Sequence, residues 1–127
     1  MARPAAKELT ERELEVMQVF WKAGEITPQQ ARDELARSGV DRAYTTVATL
    51  IRILTDKGFL RQTSEERPFR YRPARSYEEV SRRLLGDLLD RVFQGSREQL
   101  LVRLMEQKKL TAKERTRLEE ILRENKQ

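Results

Sequence analysis

At four places a hydroxyl residue stands where a helical apolar pattern begins, followed three residues later by a carboxylate or an amide. The pairs are Thr10 with Glu13, Ser76 with Glu79, Ser96 with Gln99 and Thr111 with Glu114. At that spacing the hydroxyl accepts from an amide hydrogen that a helix start leaves orphaned, and the acid or amide reaches back to another. Thr27-Pro28 adds a further start, because proline at the first helical position loses no hydrogen bond. A chain punctuated this way is mostly helical, and any sheet has to fit between the starts.

The first start predicts a helix over 11–23, with Leu14, Val16, Met17, Val19, Phe20 and Trp21 as its apolar stripe and Gly24 as its stop. The second predicts 28–37, with Ala31, Leu35 and Ala36 inward and Ser38-Gly39 closing it. Glu25-Ile26 between them is long enough for one bridge at most. A third helix is read over 44–57, from Val47, Leu50, Ile51 and Leu54 at i, i+3, i+4 and i+7, with Gly58 as its stop. Its other face carries Thr45, Thr46, Thr49, Arg52 and Asp56.

After Gly58 the apolar period becomes alternating. Residues 59–63 and 69–72 read as strands around the polar tip 64–68, and Pro73 ends the second. Phe69 and Tyr71 point one way, Arg70 and Arg72 the other. Helix, short strand, helix, helix, hairpin is the order of a winged helix-turn-helix.

Beyond the hairpin a helix over 76–94 carries Val80, Leu84, Leu85, Leu88, Leu89, Val92 and Phe93. A second carries Leu100, Leu101, Leu104 and Met105, and a third Leu118, Ile121 and Leu122. Three short helices close too small a core by themselves, and an identical copy is the simplest cover. Leu84, Leu85, Leu88, Leu89, Val92, Phe93, Leu101, Leu104, Leu118, Ile121 and Leu122 are therefore assigned to dimerisation, with an intramolecular core as the alternative. The expected fold is mainly α with a small β hairpin: a flexible tail over 1–9, a winged-helix domain over 10–75 and a helical dimerisation domain over 76–127.

Composition removes whole classes of chemistry. The chain has neither cysteine nor histidine, which excludes disulfides, thiolate metal sites, imidazole acid-base catalysis and nucleophile-histidine dyads. No catalytic residue, metal or cofactor is assigned, and the chain is not expected to be an enzyme. No apolar run approaches the roughly 18 residues that span a bilayer. The first residues, Met1 to Lys7, lack the apolar stretch of a signal peptide, so the expected location is the cytoplasm, without membrane insertion.

Charge then points to a partner. The net charge is +5, and residues 42–75 hold 8 basic against 3 acidic side chains, while residues 1–41 hold 6 against 8. A basic excess around a helix and hairpin suits a polyanion. Thr45, Thr46 and Thr49 can bond phosphate oxygens or meet base edges and thymine methyls; the plain alternative is a solvated face. Tyr44 could reach a phosphate or pack between the second and third helices. Arg42 and Arg52 are candidate phosphate clamps, Arg52 having Asp56 as an alternative partner at i+4. Arg67 and Arg70 on the hairpin would meet flanking backbone, with Arg72 and Arg75 as spacers. Glu11, Glu13 and Glu15 complement the first helix's dipole.

Several ordered stretches resemble the BlaI/MecI penicillinase-repressor family. Leu9-Thr10, Glu13-Leu14-Glu15-Val16-Met17 and Trp21 are similar to its first helix. Tyr44-Thr45-Thr46-Val47, Thr49-Leu50-Ile51, Leu54 and Lys57-Gly58 are similar to its recognition helix. Tyr71-Arg72-Pro73 resembles its wing, and Leu89-Asp90-Arg91-Val92-Phe93 with Gly95-Ser96 its dimerisation region. The resemblance runs over residues 9–123 and implies a dimeric repressor on a pseudo-palindromic double-stranded DNA operator. It also implies release through cleavage by a membrane sensor-protease at an Asn-Phe bond, where the aligned pair here is Arg103-Leu104. The cysteine pairs of the family's copper-responsive relatives are missing, which excludes that mode of sensing. Two other functions stay open on the residues alone: a ligand-sensing winged-helix regulator, and a protein-interaction adaptor built on the same fold.

Overall fold

The structure is a computed structural model that describes residues 8–107 and 109–125. Among these residues the order is α1 (Glu11–Ala23), α2 (Pro28–Arg37), α3 (Tyr44–Asp56), β1 (Leu60–Gln62), β2 (Tyr71–Pro73), α4 (Tyr77–Phe93), α5 (Arg97–Gln107) and α6 (Ala112–Glu124).

Helices begin where the hydroxyls stand. Glu13 N donates to Thr10 Oγ1 at 3.2 Å and Thr10 N to Glu13 Oε1 at 2.9 Å. Thr111 and Glu114 make the same reciprocal pair. So do Thr27 and Gln30, a fifth pair at the same three-residue spacing, where the sequence reading rests only on Thr27-Pro28. Ser76 and Ser96 cap through the hydroxyl, which accepts from Glu79 N and Gln99 N. The Glu79 carboxylate turns instead to Arg75, at 2.8 Å.

One face from each of the first three helices forms the core. Val16, Met17 and Phe20 of α1 meet Ala31 and Leu35 of α2 and Val47, Ile51 and Leu54 of α3. Ile26, Phe59, Leu60 and Val80 close the edges. Five expected members sit differently: Leu14, Val19, Trp21 and Leu50 are half-buried, and Ala36 is exposed. Ala36 follows Leu35 by one residue, a turn of about 100° that takes it off the inward face.

Gly58 has φ +87°, the left-handed region that favours glycine. There the chain leaves α3, with Phe59 N donating to Leu54 O at 2.9 Å. The hairpin pairs antiparallel, Leu60 opposite Pro73, Arg61 opposite Arg72 and Gln62 opposite Tyr71. Ile26 and Tyr71 exchange backbone hydrogen bonds at 3.0 and 2.9 Å, the single bridge expected there. The strands are shorter than read, and Pro73 belongs to β2, where lacking an N–H is tolerable at the end of an edge strand.

The chain divides into two compact units, and the boundary follows Ser81 inside α4 rather than residue 75. The first turn of α4 belongs to the N-terminal core for side-chain reasons. Val80 is buried there, Trp21 Nε1 donates to Arg75 O at 3.0 Å, and the Trp21 and Tyr77 rings meet edge-on at 5.3 Å. Arg75, expected as a solvated spacer, lies over the Phe59 ring and pairs with Glu79. The tail expected over 1–9 also ends early: Leu9 packs on the core and Glu8 O accepts from Lys57 Nζ. Residues 1–7 lie outside the described residues.

The second unit is different in kind. From Arg82 to Asn125 not one described residue is buried. Leu84, Leu85, Leu88 and Val92 of α4, Leu101 and Leu104 of α5, and Leu118, Ile121 and Leu122 of α6 are all exposed, Leu122 to 70%. Val102 and Met105 extend this surface beyond the residues assigned to dimerisation. Leu89 and Phe93 are half-buried. The Arg103-Leu104 pair lies within α5, Arg103 bonded to Glu106. Among the described residues no helix is long and apolar enough to cross a membrane.

Phe20 is fully buried at the centre of the first unit. Phe20→Ala is expected to cost about 3–5 kcal/mol, read as a lower urea midpoint at unchanged slope. A loss below about 1 kcal/mol would contradict this packing.

Candidate nucleic-acid interface

The third helix is held at both ends by the first. At its C-terminal end Lys57 Nζ donates to Glu13 Oε1 at 2.8 Å and to Glu8 O at 2.9 Å, with the two side chains only 16% and 5% exposed. Just before its start, Arg42 Nη2 meets Glu15 Oε1 at 2.9 Å and Oε2 at 3.3 Å. The Arg42 carbonyl in turn accepts from Arg32 Nε at 3.4 Å. Glu13 and Glu15 are thus more than complements to a helix dipole. The buried Glu13 carboxylate serves the Thr10 cap and Lys57 together, which is how a charge survives away from water.

This arrangement changes the standing of Arg42. Read as a phosphate clamp, it is engaged by Glu15 on α1, so its first task is to fix the turn before α3. Arg52 shows the reverse. Of its two alternatives, pairing with Asp56 does not occur, and Arg52 is exposed without an ion pair among the described residues.

Two surfaces flank α3. Thr45, Thr46 and Thr49 line a shallow depression together with Leu50 and with Arg12 of α1. Their hydroxyls make no hydrogen bond among the described residues, whereas Thr55 on the same helix bonds Ile51 O at 2.7 Å. On the other side Tyr44, Ala48 and Arg52, at i, i+4 and i+8, face a wider concavity whose far wall is the wing: Arg67, Pro68, Phe69 and Tyr71. Thr27, Pro28 and Gln29 form its floor at the start of α2. Tyr44, 46% exposed, is therefore a surface residue and not an aromatic packed away between α2 and α3. Ala43 at the helix cap supplies no side-chain hydrogen bond, so the first amides of α3 stay open to an outside acceptor.

The wing sorts its arginines by strand alternation. Arg67 lies over the Phe69 ring at 5.3 Å and borders the concavity. Arg70 is exposed with Arg72 on the opposite face from Phe69 and Tyr71, so it does not share that concavity. Ser64 shapes the tip, its hydroxyl accepting from Arg70 N at 3.0 Å. Arg61 stands directly opposite Arg72, both exposed. Like charges in that relation destabilise a bare hairpin, and a polyanion would offset the repulsion. Sequence reasoning passed over Arg61 and Arg12. The register was the missing signal for Arg61, and the packing of α1 beside α3 for Arg12.

The model of one protein family, described as penicillinase repressor, matches residues 9–124. The chain belongs to the penicillinase repressor family. Its relatives include the penicillinase repressor of Bacillus licheniformis, 28% identical over 94% of this chain and 92% of that protein. Among solved structures, the DNA-binding domain of the repressor BlaI matches with a TM-score of 0.50 at 28% identity, covering 61% of this chain and 93% of that one. The monomeric form of the Bacillus licheniformis BlaI in complex with the blaP half-operator is 30% identical, with a TM-score of 0.47, over 57% of this chain and 87% of that one. The winged helix expected from the element order is the fold observed.

The pair between Glu13 and Lys57 generates a prediction. Glu13→Gln keeps an acceptor for the Thr10 amide but removes the charge, and Lys57→Met removes the partner. Each is expected to cost about 2–3 kcal/mol, below the range for full burial because Lys57 is partly solvated. The double variant should cost less than the two combined, and a coupling under about 0.5 kcal/mol would show that the pair does not tie α1 to α3.

Proposed function

We propose that this chain is a cytoplasmic, homodimeric transcriptional repressor that binds a pseudo-palindromic operator and blocks initiation sterically. In this reading α3 of each protomer lies in a major groove and the wing rests on the flanking backbone. The observation that carries it is the pair of surfaces along α3: free threonine hydroxyls on one side, and Arg52 with Arg67 across a concavity on the other. Membership in a repressor family and likeness to a DNA-binding domain favour DNA as the polyanion.

The roles divide by chemistry. Arg52 and Arg67, with Arg70 further out, neutralise phosphates and give salt-sensitive affinity. Tyr44 and the open amides at the start of α3 add neutral donors to the backbone. Thr45, Thr46 and Thr49 meet base edges and thymine methyls and supply modest discrimination. Arg42 acts from behind, by holding the entry to α3.

Dimerisation is assigned to the second unit. An apolar surface spread over three helices, with no described residue from Arg82 onward buried, favours a cover in water. A second copy covers it through a self-complementary interface and sets two recognition helices about one turn of DNA, or a multiple, apart. Release by a sensor-protease at Arg103-Leu104 would require α5 to unwind locally, because the bond lies inside that helix.

Two outcomes test these assignments. Thr46→Ala is expected to weaken binding to the operator more than to unrelated duplex, while Arg67→Ala weakens both. Footprinting in which Thr46→Ala keeps full operator preference would remove the base-reading role. Separately, Leu88→Glu is expected to shift the chain from dimer to monomer in sedimentation at micromolar concentration and to lower operator affinity. A variant that stays dimeric would move the interface away from α4.

A further inference from the structure

Arg12 stands in the first turn of α1, a helix whose two acids that face the core side are occupied. Glu13 holds Lys57 and Glu15 holds Arg42. Arg12 is exposed and makes neither a hydrogen bond nor an ion pair among the described residues. Its side chain lines the same depression as Thr45, Thr46 and Thr49. A guanidinium without a partner beside three hydroxyls without partners is suited to an oxyanion, not to an apolar ligand.

The geometry points to Arg12 as a phosphate-binding residue of the DNA complex, gripping the wall of the groove that α3 enters. This rests on the reading of α3 as the recognition helix. A major groove about 12 Å wide admits one α-helix, so α1 stays outside when α3 is within. A side chain reaching in from the first turn of α1 therefore meets the sugar-phosphate rim before any base edge. The planar fork of arginine matches two phosphate oxygens, and the depression places the threonine hydroxyls next to it. Because α1 also fixes both ends of α3, Arg12 is held in register with the helix whose insertion it would secure.

The test uses the full chain with Arg12→Gln and Arg12→Lys, on a duplex that the wild type selects from a random pool and on a scrambled duplex of equal length. Affinity is measured from about 50 to about 200 mM salt. Arg12→Gln is expected to weaken both duplexes alike and to reduce the slope of log K against log salt by about 0.9 per protomer. Arg12→Lys is expected to restore the slope, since phosphate accepts any cation. An unchanged slope in Arg12→Gln overturns the assignment. A loss confined to the selected duplex, without rescue by lysine, also overturns it and places Arg12 on a base edge. Thr46→Ala run in parallel separates the two levels of the reading. If it lowers operator preference while Arg12→Gln changes nothing, Arg12 alone is wrong; if it too changes nothing, the recognition-helix reading falls with it.

Discussion

The rest of the N-terminal unit depends on α1 gripping α3 at both ends. A helix of 13 residues is marginal in water, so packing has to keep α3 from fraying or swinging. Burial of Val47, Ile51 and Leu54 against Phe20 and Met17 fixes how deeply α3 sits. Burial alone is non-directional and would tolerate rotation or sliding. The pairs of Glu13 with Lys57 and Glu15 with Arg42 are directional. Being set at opposite ends, they fix the axis. The nearly buried pair is costly to desolvate, and the Thr10 cap and the Glu8 carbonyl meet that cost by satisfying what remains of both groups.

A division among the cations follows from the same interactions. The basic excess between residues 42 and 75 is not one patch. Arg42, Lys57 and Arg75 are drawn into the unit by Glu15, Glu13 and Glu79. Arg52, Arg67, Arg61, Arg70 and Arg72 remain at the surface, on α3 and the two faces of the wing. The acids of α1 therefore leave the uncommitted charge along the surfaces beside α3 and on the hairpin. Net charge by segment overstates the uncommitted charge and passes over Arg12, which lies in a segment of negative balance.

The second unit follows another logic. Its helices are well capped and regular, yet nothing within them is closed. Local hydrogen bonding forms such helices, while the gain from burying their leucines has to come from a second surface. The first unit, by contrast, keeps its own core and extends it to Val80 through Trp21 and Tyr77.

Sequence alone determined the local features: helix starts at Thr10, Thr27, Ser76, Ser96 and Thr111, the stop at Gly58, the inward faces of α2 (Ala36 apart) and α3 and the hairpin after them. These are settled by residues three or four apart, within reach of one turn or one strand pair, so periodicity and capping suffice to read them. The resemblance to repressors was legible for the same reason, being an ordered set of local patterns. Only the tertiary structure decided that Glu13 and Glu15 anchor α3, that Arg42 and Arg75 are engaged, that Arg70 and Arg67 part company, and that Arg12 joins the threonines. Each of these pairs residues far apart in the chain or on faces fixed by register, and a side chain's charge says nothing about which distant group the packing will bring to it.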